Sequence, residues 1–74
     1  MTLDKGKRGM LIKIVNIPDE LVRSQVIRFG IMEGSVVTCE EVVPTGPIIV
    51  SRNRQEIAIG RNLARQIKVE QVAS

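Results

Sequence analysis

The chain has 74 residues, 43% of them hydrophobic, with 11 Lys and Arg against 8 Asp and Glu, a net charge of +3 and no histidine. That length allows one domain, expected over 1–74, with a small core, because a chain this short buries only about 60% of its unfolded surface. The charge is too small and too dispersed to argue for nucleic acid, and no apolar run approaches the ~20 residues that span a bilayer.

Met1 to Gly6 contains no apolar signal region, so secretion is not expected. The lone cysteine, Cys39, has no internal disulfide partner, which fits a reducing, cytosolic setting.

Leu3 to Gly9 is polar and glycine-punctuated and reads as a turn. Met10 to Val15 follows as a strand, with Ile12 and Ile14 on one face and Lys13 on the other. The period then changes. Pro18, Asp19 and Glu20 signal a helix start, and Gly30 sits where a left-handed stop is wanted. Between them Leu21, Val22, Gln25, Val26 and Phe29 recur at helical spacing, predicting one amphipathic helix of about three turns.

Ser35 to Val43 has strong β character, and Pro44 to Pro47 must be a turn, since two prolines do not fit a central strand. Ile48–Arg52 and Gln55–Ile59 read as a hairpin closed by Asn53-Arg54. Asn62 is a possible cap for a short turn at Leu63–Arg65. Ile67 to Val72 alternates apolar and polar and closes the sheet. Five short strands, tight turns and one helix inserted after the first strand predict a mainly β fold, a small antiparallel barrel that closes its own edges.

Catalysis finds little to work with. General acid–base chemistry wants a tuned pair, yet histidine is absent. Glu40 and Glu41, adjacent on a strand, are expected on opposite faces. Cys39 is expected to share a face with Val37 and Glu41 and to be buried, as free cysteines usually are. No catalytic residue, cofactor site, metal ligand or small-molecule substrate is therefore assigned. Nor does Gly6-Lys7-Arg8-Gly9 make an RNA clamp, because it precedes a strand where such a loop lies between helices. Barrels that bind single strands stack bases on exposed aromatics. Phe29 is the only aromatic here, and its expected place is the helix's inward face. Grooves for proline-rich peptides need aromatics too.

Four segments resemble the FeoA family, the small cytosolic component of bacterial ferrous iron uptake. They are Gly6-Lys7-Arg8-Gly9 leading into Met10 to Ile14, then Arg28-Phe29-Gly30-Ile31-Met32-Glu33-Gly34. The third is Val43-Pro44-Thr45-Gly46-Pro47-Ile48, where the family often has an Asp between the Gly and the Pro. The fourth is Ile57-Ala58-Ile59-Gly60-Arg61 leading to Ala64 and Ile67 to Glu70. Their order and spacing cover nearly the whole chain, Leu3 to Val72. The resemblance implies an SH3-like barrel with an added helix. It also implies a cytoplasmic protein whose partner is the cytosolic part of the FeoB-type ferrous iron permease, so that it meets the membrane only through that partner. The same module resembles the C-terminal domain of iron-dependent repressors of the diphtheria-toxin-repressor type, which gives an alternative reading as a regulator module. A small oligonucleotide-binding barrel is a third.

A chain this poor in rings must dock through shape and aliphatic surface. The expected contact residues are Val26, Ile31 and Met32, lining a cleft between helix and barrel, and Arg52 and Arg54 at the hairpin tip.

Overall fold

The computed structural model describes residues 1–72. Ala73 and Ser74, the end of the domain expected over 1–74, lie outside the described residues. A 3-10 turn at Leu3–Lys5 precedes strand β1 (Leu11–Asn16), helix α1 (Glu20–Ile27) and strand β2 (Val36–Val42). Then come β3 (Ile48–Arg52), β4 (Gln55–Ile59), the single helical turn α2 (Arg61–Ala64) and β5 (Lys68–Gln71). The fold is mainly β, as expected, with five antiparallel strands and the helix after the first.

The strands form one sheet in the order β4-β3-β2-β1-β5. Its inward face buries Ile12, Ile14, Val37, Cys39, Ile48, Val50, Ile57, Ile59 and Val69, while Lys13 points out. Leu3, at 0% exposure, plugs this core from a segment that reads as merely polar in sequence. Removing each such side chain from water stabilises the fold by about 1.5–3 kcal/mol, so a few strands suffice.

Two features depart from the sequence expectation. First, the hydrogen-bonded ladder does not close on itself. β5 is capped on its outer side by the N-terminus. Val69 donates its amide to Met1 (2.8 Å), Leu3 donates to Ile67 (2.9 Å), and Thr2 bridges Lys68. β4 has no backbone partner on its outer side among the described residues. Second, the β2–β3 register shifts between Cys39 and Glu41, leaving Glu40 as an extra residue in β2. The bulge resets the alternation. Val42, opposite the buried Ile48, packs against the core, and Glu41 is exposed instead of sharing the Cys39 face. Cys39 itself is buried as expected.

Candidate docking surface

Helix α1 begins where the sequence says it should. The Asp19 carboxylate accepts hydrogen bonds from the amides of Leu21 (2.8 Å) and Val22 (3.2 Å), satisfying two of the free donors at the helix start. Arg23 holds this entry to the next loop. Its guanidinium donates to the Ile17 carbonyl at 2.9 Å and pairs with Glu33 at 3.2 Å, and Glu33 also accepts from the Ile17 amide.

The helix ends earlier than its apolar spacing predicts. Only Val22 and Val26, four residues apart, are buried, while Leu21 is 69% exposed and Gln25 faces solvent. Beyond Ile27 the chain closes a Schellman arrangement. Gly30 donates to the Ile27 carbonyl (2.9 Å) and Ile31 reaches back to the Val26 carbonyl (3.3 Å). Gly30 takes φ 76°, a conformation that costs a side-chain-bearing residue but not glycine.

This turn decides where the expected contact residues go. It swings Ile31 inward, so Val26 and Ile31 share the buried core cluster and line no surface cleft. The apolar pair across such a stop is what anchors it. The turn also throws Phe29 outward. The ring is 50% exposed, which corrects its expected place on the inward face. Met32 is 47% exposed and remains available. Phe29 is the exposed apolar side chain that helical periodicity conceals. The available signal was its position one before a stop glycine, where helical facing no longer holds.

Arg52 and Arg54 belong to the β3–β4 hairpin, and Arg52 reaches the Gly30 turn. The hairpin turn puts Asn53 at φ 53° and Arg54 at φ 67°, the left-handed pair that a two-residue loop requires. Arg52 donates from its guanidinium to the Gly30 carbonyl, joining the hairpin to the end of α1. The same carbonyl accepts more weakly from Ser35 (3.4 Å). Between Phe29 and the β4 residues Gln55, Glu56, Ile57 and Ala58 runs a groove of about 420 Å³. Among the described residues the only ion pair is Arg23–Glu33, so Arg52 and Arg54, which flank the start of β4, pair with no carboxylate.

A second hollow, of about 460 Å³, lies between the Thr45–Pro47 turn and α2. Arg61 spans it structurally, donating to the carbonyls of Val43 (2.7 Å) and Gly46 (3.1 Å). The Pro44–Pro47 turn is thus held by an arginine from α2. α2 starts one residue before the expected Asn62 cap. Gly60 precedes it without a side-chain bond, and the Asn62 side chain accepts from Arg65 instead (3.3 Å).

The chemistry of the surface is sparse. The Glu40 carboxylate accepts from the Ser51 hydroxyl. Among the described residues no three of Cys, Asp and Glu gather as metal ligands would. Burial, with help from the Glu40 charge, raises the Cys39 thiol pKa, and a backbone hydrogen bond at Glu41 opposes this in part. A thiol in that state is a poor nucleophile. Among the described residues no helix is long and apolar enough to cross a membrane.

With this geometry in view, the chain compares clearly with known proteins. The family model described as FeoA domain matches residues 1–71. A crystal structure of an iron uptake regulatory protein (FeoA) is 29% identical, with a TM-score of 0.88 and 97% of each chain covered. The solution structure of the FeoA protein from Chlorobium tepidum is 27% identical with a TM-score of 0.85, covering 99% of this chain and 71% of that one. ScaR with bound zinc, 19% identical, shares the fold at a TM-score of 0.85, but the match spans only 37% of that longer chain. No curated protein sequence matches significantly. These likenesses agree with the SH3-like barrel and added helix expected from the sequence.

Proposed function

This chain belongs to the FeoA domain family, and on that premise we propose that it is a cytosolic accessory protein of bacterial ferrous iron uptake, docking on the cytosolic part of a FeoB-type permease and modulating it. The family is one of small accessory domains related to iron uptake, and the 29%-identical relative matched end to end is named as an iron uptake regulatory protein. The observation that carries the docking reading is the surface itself. Phe29 and Met32, large and apolar, stand half exposed on either side of Gly30, whose carbonyl accepts from Arg52, and Arg54 is exposed on the same hairpin. Aromatic, methionine and arginine side chains are enriched at protein interfaces.

On this reading the chain is no enzyme. With no imidazole and a thiol held neutral by burial, it has no tuned proton carrier or activated nucleophile to offer. Ferrous iron is the permease's cargo and passes through the partner, and this chain meets the membrane only by way of it. The proposed contact residues are Phe29, Met32, Arg52 and Arg54. Co-purification of the tagged full chain with the permease's cytosolic part tests the reading. A stoichiometric complex is expected, and its absence contradicts docking. Likeness of fold to part of ScaR keeps the regulator-module reading as the outcome to which such an absence would point.

A further inference from the structure

The edge of β4 is built to accept another strand. The two-residue loop makes Arg52 and Gln55 a hydrogen-bonded pair. Alternation along the β3–β4 ladder then makes Val50–Ile57 and Ile48–Ile59 hydrogen-bonded pairs as well. The amides and carbonyls of Glu56 and Ala58 therefore face away from β3, and none of them has a backbone partner among the described residues. The contrast with β5 is direct, since there the chain's own Met1–Leu3 covers the edge. β4 contains no proline, no lysine and no bulge, the usual devices that blunt an exposed edge.

Phe29 forms the wall of the groove along this edge. The charges along it are asymmetric. Arg54 directly precedes the first residue of β4 and Arg52 lies opposite Gln55, so two cations flank the end where β4 begins, and Glu56 is the one acidic side chain lining the groove. Arg54 occupies a φ of 67°, where glycine is the favoured residue, so a cation is placed here against backbone preference.

We infer that the outer edge of β4 takes an extended segment of the partner protein as an added antiparallel strand. The segment is aliphatic at alternate positions, to pack along Phe29, and acidic at its C-terminal end, which an antiparallel course brings to Arg52 and Arg54. Main-chain bonds to Glu56 and Ala58 supply the pairing, and alternate side chains supply the choice of segment. Glu56 repels an acid placed mid-strand and so fixes the register. The inference rests on the docking reading above and names the site and mode of that contact.

Amide hydrogen exchange on the full chain, alone and with the permease's cytosolic part, reads the site directly. Ala58→Pro serves beside it, because the lost amide faces outward and the β3–β4 bonds remain. The expected result is new protection at the Glu56 and Ala58 amides on mixing, with binding weakened at least tenfold by Ala58→Pro and several-fold by Arg54→Gly. Should the wild type bind while both amides exchange freely, strand addition is overturned and docking stands, whether or not Ala58→Pro folds. Failure of the wild type to bind overturns both. Protection that grows with concentration in the chain alone assigns the edge to a second copy and overturns the partner segment.

Discussion

The guanidinium of Arg52 donates to the main-chain carbonyl of Gly30, so the end of the β3–β4 hairpin is fastened to the turn that follows α1. Helix end, Phe29 and the free β4 edge thereby become one surface. A methyl group on Gly30 would come within 3.0 Å of the Arg52 Nη1 atom, and the φ of 76° disfavours any L side chain there. Gly30→Ala is expected to lower stability by about 1–2 kcal/mol, read by equilibrium urea unfolding. No loss would mean the left-handed turn does not form.

Neighbouring residues after this turn have opposite fates. Ile31 is fully buried and Met32 half exposed. Ile31→Ala is expected to cost about 2–5 kcal/mol through lost burial and a residual cavity. Met32→Ala is expected to stay within about 0.5 kcal/mol. Thermal unfolding of the two variants separates them, and equal losses would contradict the placement. Val26→Asp likewise unfolds the protein rather than probing a surface, because it forces a carboxylate into the core.

The strands were legible because Val and Ile alternate with polar residues between strong turn signals. β3 and β4 match the residues read from sequence, with the expected two-residue turn at Asn53-Arg54. What escaped is what spacing does not encode. The bulge at Glu40 flips the inward set from odd to even positions, and no residue type announces it. The helix stop at Gly30 was visible, but the six-residue bond from Ile31 to Val26 that turns one apolar side chain in and another out was not. Periodicity assigns faces only while the helix lasts, which misplaces Phe29, and it says nothing of Ile31 in the connection beyond, which was expected to line the cleft. The candidate surface was therefore half legible: Met32 and Arg54 are exposed and Arg52 half-buried, whereas Val26 and Ile31 are buried and the Phe29 ring is turned out.

Two turn residues sit at positive φ without being glycine or asparagine: Thr45 at 56° and Arg54 at 67°. The β-branched threonine is the more costly of the two. Thr45→Asn is expected to raise stability by about 1 kcal/mol, since asparagine tolerates this region. Arg54→Gly should add a similar amount while weakening partner binding. Calorimetry checks both, and a loss of stability in either variant would contradict the backbone geometry.

Cys39 sets a pH dependence. Its thiol pKa is raised on folding, chiefly by burial and then by the Glu40 charge. The folded state thus holds this proton more tightly than the unfolded chain. The contribution is complete below the ordinary thiol range, near about 8.5, and is lost as pH rises through the higher folded value. Unfolding free energies of wild type and Cys39→Ala, compared from neutral to alkaline pH, are expected to converge above that range. Parallel curves would refute the shift.

Docking through shape, aliphatic surface and a few arginines is the central claim, and calorimetric titration of the full chain into the cytosolic part of a FeoB-type permease tests it most directly. The predicted result is saturable binding that weakens as salt rises, because Arg52 and Arg54 contribute screened charge, and that falls further with Arg54→Glu. A titration without saturable binding at either low or physiological salt would contradict the claim.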